Sequence, residues 1–505
     1  MILHRHVVDD DSKAETMKRP LLPTKRQSRH SLWRFITISC MVILSASLIL
    51  YSLSENNSIT AQCIPKYIHI AQRNNVNQLG RVSMTLSFAI DRHCDVMTPC
   101  IHYGRREDTE ETVLVVQQLP LQFNYTSTNG TFYSDWWYHV ELPTLMAGDE
   151  EYWYQIVTQK TTQHPPATFH TPPLPGQSTA FAVVGDWGQT EHSLRTMQKI
   201  LRAIHTTPLS QLIVAGDMSY ADSDPQRWLS WFELMEPLLG TLPTHVAVGN
   251  HEIECDTVTR EVFVPYEHYF SNPNRVGEAY RHPLTPKYPD SLWQKSCSTP
   301  SEFLGYYVYG NSFYAYRHGL VHIIVLNSYT YSGVGSEQYL WLQEELQTRF
   351  DRTVTPWLMV VFHCPFYTTF DSHVDEVQSR TMKHAMEPLF VKYGVNFVLS
   401  GHDHAYLRSK SMKYGHVDST QHAPIYFIVG AGGNREGHPH GYIQDYPEVW
   451  VAKRTMVDWG YGQWWFPNAT HAHFTWIPDG FEGDDTGDDV WLVNPHVVSQ
   501  QVSLS

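Results

Sequence analysis

Basic residues are in short supply in this chain. Lys and Arg number 36 against 51 Asp and Glu, which gives a net charge of −15 at pH 7 over 505 residues. That balance argues against a nucleic-acid-binding surface. An anionic substrate would need local positive charge, from metals or from some of the 29 histidines. Charge of either sign is also modest, at 17%, while aromatics reach 13%, a composition that excludes an extended disordered chain. No internal repeat is evident, and the length leaves room for two or three domains with ample core.

Long apolar runs are lacking, with one exception. Residues 35–53 carry no charge and are long enough to span a bilayer, longer than the usual core of a signal peptide. Lys25, Arg26, Arg29 and Arg34 precede the run and Glu55 follows it. The positive-inside rule then places residues 1–34 in the cytosol and the bulk of the chain in a lumen or outside the cell. A cleaved leader and a secreted product is the competing reading. Four Asn-x-Ser/Thr sequons, at Asn56, Asn124, Asn129 and Asn468, fall on the non-cytosolic side. Glu15 upstream of Leu21-Leu22 matches a lysosomal or vacuolar sorting signal, as short patterns often do by chance.

Cysteines are few: seven, with Cys40 inside the apolar run. The other six lie where disulfides are permitted. Cys94 with Cys100 and Cys255 with Cys297 are the first pairs to consider, although spacing leaves connectivity open.

Residues 62–163 alternate apolar and polar positions in several short runs, among them Arg81-Val82-Ser83-Met84-Thr85-Leu86 and Tyr152-Trp153-Tyr154-Gln155-Ile156-Val157. Several short strands with turn clusters between them predict a β-sandwich. A proline-rich stretch, 164–177, reads as a stiff linker. Beyond it, over 178–500, apolar strand-like runs alternate with helical spacing at 191–205, 226–239, 336–350 and 374–393, which predicts a β-α-β core with parallel strands. Residues 255–300 read as an elaborated loop, and the acidic run 479–489 as a solvated turn.

Five of the apolar runs end in residues that can bind metals. These are Asp186, Asp217 with Tyr220, Asn250 with His251, His363, and His402 with His404. Each block alone is a weak signal, because a Gly-Asp or a His after a strand is more often a turn or core residue. Together they predict that side chains at strand termini converge at one edge of a sheet. The donor count exceeds the places around one ion, which favours two. A carboxylate with a phenol points to a hard, strongly Lewis-acidic metal.

The ordered blocks Asp186-Trp187-Gly188, Gly216-Asp217-Met218-Ser219-Tyr220, Gly249-Asn250-His251-Glu252, His363 and Gly401-His402-Asp403-His404 resemble the metallophosphoesterases and, within them, the purple acid phosphatases. The likeness extends to Gly433-Asn434-Arg435-Glu436-Gly437 and Asn468-Ala469-Thr470-His471-Ala472, covers roughly residues 62–500, and with the β-rich N-terminal region resembles the large plant-type members. The resemblance implies a fibronectin III-like N-terminal sandwich and a mixed α+β/α/β architecture overall. It also implies that Asp186, Tyr220 and His404 hold Fe(III), that Asn250, His363 and His402 hold a divalent Zn, Mn or Fe, and that Asp217 bridges them. Two such ions can clamp a phosphate ester and activate water for in-line attack.

His251 and His373 are then the expected catalytic residues, contacting phosphate or donating a proton to the leaving oxygen. Glu252 is expected to orient His251, and Asp222 to cap the following helix. Cys364 reads as a small buried residue. Two departures leave the ligands untouched: Tyr406-Leu407-Arg408 stands where the large members have Tyr-Glu-Arg, and Trp476-Ile477-Pro478-Asp479 replaces a basic run. They bear on substrate preference and on the homodimer that the family would suggest. The implied activity is acid phosphatase action on phosphate monoesters. Diester, pyrophosphate or nucleotide hydrolysis would use the same ligands, a redox role for the iron could coexist with any of these, and a non-catalytic ectodomain is the reading from another class.

Overall fold

The structure, a computed structural model, describes residues 63–94, 98–127, 129–158, 165–273, 305–480 and 487–498. The expected cytosolic tail and membrane span lie outside these residues, as do Asn56, Cys40 and Cys297. Among the described residues no helix is long and apolar enough to cross a membrane.

The N-terminal region is all-β. One antiparallel sheet runs Lys66–Gln72, Arg81–Ile90, Trp136–Met146, and a second runs Thr112–Val115, Cys100–Arg105, Glu151–Val157, Ala167–His170. Ile68, Met84 and Leu86 of the first sheet share one core with Ile101, Tyr154 and Ile156 of the second, so the two sheets form a sandwich. Glu151–Val157 buries alternate residues, as a strand with one wet face should. Arg81–Ile90 is buried on both faces. The reason is that its sheet also packs on the helix Pro225–Leu239, with Tyr67 and His69 against Phe232; from the second sheet, the Tyr154 hydroxyl donates at 2.7 Å to the carbonyl of Gly240, which caps that helix.

Three sequence expectations change here. The proline-rich stretch is not a linker throughout, because Ala167–His170 pairs antiparallel with Glu151–Val157. Cys94 bonds to Cys63, not to Cys100, which is free. Strand register explains the pairing: Lys66 lies opposite Ala89, so the residues just before one strand and just after the other meet, whereas Cys100 opens a strand of the other sheet. Cys255 is disulfide-bonded, with its expected partner Cys297 outside the described residues. The acidic run is not simply solvated. Asp488 accepts from Tyr406 Oη and Arg408 Nε, both at 2.7 Å, and Asp479 lies 3.0 Å from His192.

The rest of the chain forms two facing sheets. In one, Thr244–Val246, Leu209–Val214 and Thr179–Val184 run parallel and continue antiparallel into Gly460–Phe466, His471–Pro478 and Asp488–Val493. In the other, Val321–Val325, Trp357–Val361, Phe397–Ser400 and Ile425–Val429 run parallel, flanked by antiparallel Tyr314–His318 and Tyr406–Lys413. The parallel strands are apolar on both faces, the pattern expected when each sheet face is covered. Phe181, Val183 and Ile213 of the first sheet interdigitate with Val325, Met359, Val361 and Leu399 of the second.

Helices Glu191–Ala203 and Pro225–Leu239 cover one outer face, and Glu337–Glu344 and Val377–Tyr393 the other. The region expected as helix over 336–350 leaves α geometry at Glu345 for a π turn, Glu345–Arg349. The architecture is therefore a four-layer helix–sheet–sheet–helix arrangement. Both sheets direct the carboxyl ends of their parallel strands toward one site.

Candidate metal centre

Three of the parallel strands, Thr179–Val184, Leu209–Val214 and Phe397–Ser400, end in loops that turn sharply at a polar residue. Asp186, Asp217, Tyr220 and His402 all have positive φ, between 52° and 72°, a region that residues other than glycine seldom occupy. Backbone strain of this kind concentrates where the surrounding structure over-determines a functional position. Here the loops brace one another: Asp186 N donates to Gly216 O at 3.1 Å, Trp187 N to Asp217 O at 2.9 Å and Gly188 N to Met218 O at 2.8 Å. Glycines permit the close approach. A Cβ on Gly249 would strike the Asp217 carboxylate, one on Gly401 the Asp186 carboxylate, and one on Gly216 the His363 ring.

The seven expected ligands converge, but from two sheets, not from one sheet edge as the sequence suggested. Asp186, Asp217, Tyr220 and Asn250 come from the first sheet, and His363, His402 and His404 from the second. They gather around two foci. At the first, the Tyr220 hydroxyl donates to Asp186 Oδ1 at 3.2 Å and stands 3.0 Å from His404 Nε2, which is 3.4 Å from the same carboxylate oxygen. At the second, His363 Nε2 lies 3.0 Å from both Asp217 Oδ2 and Asn250 Oδ1. Asp217, His363 and His402 can each offer one ligand atom with all three within 4.8 Å of one another. His363 is also 3.8 Å from Asp186 Oδ1, so the foci adjoin.

Supporting contacts fix which ring nitrogen faces the centre. Nδ1 of His363 donates to Ala215 O at 2.7 Å and Nδ1 of His404 to Gly437 O at 2.8 Å, leaving Nε2 inward in both. Orientation of this kind is the usual support for histidine ligands. The donor set fits cations. Asp186 and Asp217 are 0% and 1% exposed, and among the described residues their ion-pair partners are imidazoles. Burial would raise the Asp217 carboxyl, yet His363 and His251 hold it below the ordinary carboxylate range. Burial would lower His363, and Asp217 with Asp186 instead raise it to about 9. Burial, then Asp186 and Asp217, push the Tyr220 phenol well above its usual value. A phenol so placed becomes a ligand only when a strong Lewis acid displaces its proton.

The expected catalytic histidines are both at the centre, held by partners that sequence reasoning assigned differently. His251 is 2% exposed and packs on the Tyr220 ring with centroids 4.0 Å apart. Its Nδ1 lies 2.6 Å from Asp222 Oδ1, and Arg435 clamps Asp222 from the far side while donating to Tyr220 O at 3.0 Å. Asp222 therefore orients His251. The helix cap is Asp224, whose side chain accepts from Gln226 N at 3.1 Å. Glu252 does not orient His251. Its carboxylate accepts three backbone N–H groups, from Asp217 and Gly249 at 2.8 Å and from Met218 at 2.9 Å, tying two ligand loops together.

His373 sits at the mouth with its side chain 25% exposed, stacked on His402 with centroids 3.7 Å apart. The edges of these two rings are joined by Glu376, which the sequence reading passed over. Its oxygens are 2.9 Å from His373 Nδ1 and 2.8 Å from His402 Nε2. Cys364 is buried as expected and donates to the same carboxylate at 3.3 Å. Glu436, which the sequence reading met only as part of the family likeness, lies 3.6 Å from His251 Nε2, and Tyr329, whose hydroxyl donates to Asn250 Oδ1 at 3.1 Å, was also missed. Spacing from His373 could have flagged Glu376; nothing local marks Tyr329.

Comparison with known proteins agrees with this geometry. Residues 179–406 match the calcineurin-like phosphoesterase family, and residues 423–489 match the family described as iron/zinc purple acid phosphatase-like protein C. A phosphoenolpyruvate phosphatase of Allium cepa is 33% identical over 69% of this chain and 68% of its own length. The probable purple acid phosphatase 20 of Arabidopsis thaliana is 33% identical over 68% and 71%. The Fe(3+)-Zn(2+) purple acid phosphatase 12 of the same plant is 29% identical over 85% and 84%. The solved purple acid phosphatase from yellow lupin (Lupinus luteus) seeds superposes with a TM-score of 0.65 at 16% identity, covering 84% of this chain and 74% of that one, a match of fold. The chain belongs to the purple acid phosphatase family of calcineurin-like phosphoesterases, and is a metal-dependent hydrolase of phosphate monoesters.

Proposed function

We propose that Asp186, Tyr220 and His404 hold Fe(III), that Asn250, His363 and His402 hold a divalent Zn, Mn or Fe, and that Asp217 bridges the two positions. The observation that carries this reading is the Tyr220 hydroxyl, 3.2 Å from Asp186 and 3.0 Å from His404. When bound, such a pair of ions supplies an acid-stable nucleophile and neutralises phosphate charge. Purified protein is expected to show a visible phenolate-to-iron absorption band and to hydrolyse an aryl phosphate. Tyr220→Phe is expected to lose the band while keeping its circular dichroism. A metal-replete, oxidised wild type without the band would remove Fe(III) from this assignment.

His251 is the residue best supported as the proton donor to the leaving oxygen. Asp222 anchors Nδ1, so Nε2 is the atom left to hold or deliver a proton, and it faces Asp217 at 3.9 Å and Glu436 at 3.6 Å. Burial would lower the His251 pKa, but Asp217 and Asp222 raise it well above the ordinary imidazole value, which keeps the donor charged in acid. Asp222→Asn is expected to reduce kcat about 10–100-fold with KM little changed, in the range of general acid catalysis. The loss should be smaller for nitrophenyl phosphate than for an alkyl phosphate, whose poorer leaving group needs the proton more. Equal losses on the two esters would argue against proton donation through His251. Burial would lower the His373 pKa, but Glu376 and nearby carboxylates raise it, and its position at the mouth supports a contact with the phosphate.

Position on the far side of a membrane is the second part of the proposal. It rests on the charge asymmetry around residues 35–53, on the Cys63–Cys94 disulfide, and on the exposed asparagines of three sequons, Asn124, Asn129 and Asn468. In intact microsomes the catalytic region should resist added protease and shift in size with endoglycosidase. Digestion without detergent would reverse the orientation. Release by alkaline carbonate would favour the secreted alternative.

A non-catalytic ectodomain would be expected to have lost ligands, and all seven converge here. No comparable observation favours diester or pyrophosphate substrates.

A further inference from the structure

A second polar cavity, of about 410 Å³, opens between the sandwich and the hydrolase core, lined among others by Asn75, Arg317, His322, Trp341, Glu345 and Arg349. Clefts between domains are common ligand sites. This one is remote from the metal centre. His322 begins the strand Val321–Val325, whose opposite end leads to Tyr329 and Asn250. That strand alone separates the two by roughly 13 Å, at about 3.3 Å per residue.

Two unpaired donors, on Arg317 and Trp341, and one unpaired ring nitrogen, on His322, line the cavity. Arg317 Nε, His322 Nδ1 and Trp341 Nε1 are buried atoms with no hydrogen-bond partner among the described residues. Buried polar atoms are nearly always paired, and three exceptions around one cavity call for an occupant. Arg317 donates one N–H to Arg349 O at 2.7 Å and forms no ion pair among the described residues; its charge reaches the exposed Asp351 only as the smallest of that carboxylate's influences. His322 is 2% exposed, and its Nε2 lies 3.1 Å from Glu345. The Glu345 carboxylate is held from its other oxygen by Arg349 at 3.1 Å, which cancels the one buried negative charge facing the cavity. Asp351, the other carboxylate of the lining, is exposed and accepts from Thr353. The floor is a π turn, Glu345–Arg349, an irregularity often found at functional sites.

We propose that this cavity is an oxyanion site, distinct from the metal centre, that takes a free tetrahedral anion of the phosphate or sulfate class. Arg317 and Trp341 donate from a strand and a helix, Tyr314–His318 and Glu337–Glu344, and His322 Nδ1, on Val321–Val325, joins them when the ring is protonated, since Nε2 carries the proton that faces Glu345. That distribution suits oxygens pointing in several directions better than a planar carboxylate.

The test is equilibrium dialysis of the metal-loaded protein against inorganic phosphate, with sulfate in a separate arm. Wild type should bind two phosphates per chain, and Arg317→Gln one, with the KM for an aryl phosphate unchanged. Trp341→Phe keeps the ring and removes only the N–H, and should weaken the second phosphate at least tenfold. Sulfate should occupy the same additional position. One phosphate in wild type and variants alike would mean that the cavity holds water only, and would overturn the proposal. An unaltered second phosphate in Trp341→Phe would overturn it as well.

Discussion

Replacing Asp217 by alanine is expected to lower turnover of an aryl phosphate by at least about a thousandfold, on the order of 4 kcal/mol in the barrier, with secondary structure retained. The side chain stands where the two foci meet. Oδ2 is 3.0 Å from His363 Nε2, and Oδ1 accepts the backbone N–H of His251 at 2.8 Å. Alanine therefore removes the carboxylate proposed to bridge both positions and also loosens the backbone that carries Asn250 and His251. The cost to folding is smaller. One buried N–H loses its acceptor, about 1–3 kcal/mol, and this is offset in part because two carboxylates no longer sit side by side in a dry site. Against a typical stability of about 5–15 kcal/mol the chain should still fold. Metal analysis should find fewer than two ions per chain. Wild-type activity in this variant would contradict the bridging assignment, and an unfolded variant would show that the structural term had been underestimated.

Glu252→Gln should be the more damaging change for stability, although it alters a single atom. Glu252 is fully buried, and its two oxygens face three backbone donors and no acceptor. A glutamine can turn its oxygen toward Asp217 N and Gly249 N, but its NH₂ then meets the Met218 N–H. The result is a buried donor opposing a donor, a loss of roughly 2–4 kcal/mol. Burial and the neighbouring Asp217 push the Glu252 carboxyl up to about 7. A raised carboxyl pKa means that ionising this group opposes folding as pH rises through that value, so the glutamine variant should fare relatively better near neutral pH than in acid. Thermal unfolding of the two proteins across pH 5 to 8 measures this. A Tm unchanged by the substitution would show that Glu252 is not the tie between the Asp217 and Asn250 loops. Weaker metal retention should accompany the lower Tm, because both loops carry ligands.

The proposed ligand set was legible in the sequence because each member sits at the end of a local pattern. Ala180-Phe181-Ala182-Val183-Val184 leads to Gly185-Asp186, and Leu358-Met359-Val360-Val361-Phe362 leads to His363. A buried strand followed by a tight polar turn is written within about eight consecutive residues. The supporting residues were not legible for the opposite reason. Asp222 and Glu252 are both acids close to His251 in one dimension or the other, and sequence proximity gave Glu252 the orienting role. The loop fold reverses this: the left-handed turn at Asp222 swings its carboxylate onto His251, and Glu252 turns back into its own backbone. Cys63 was overlooked for the same kind of reason, since its proximity to Cys94 follows from strand register and not from spacing.

By itself the sequence determined which side chains could bind metals, their order along the chain, and the alternation of strand and helix that carries them. Only the tertiary structure decided that the donors arrive from two facing sheets, that Glu376 joins His373 to His402, and that Asp479 and Asp488 are buried partners of His192 and of Tyr406 with Arg408. The physical difference is range. Strand and turn propensities act between neighbours in the chain, whereas the pairing of two sheets and the partner of a buried charge depend on packing between segments up to 287 residues apart.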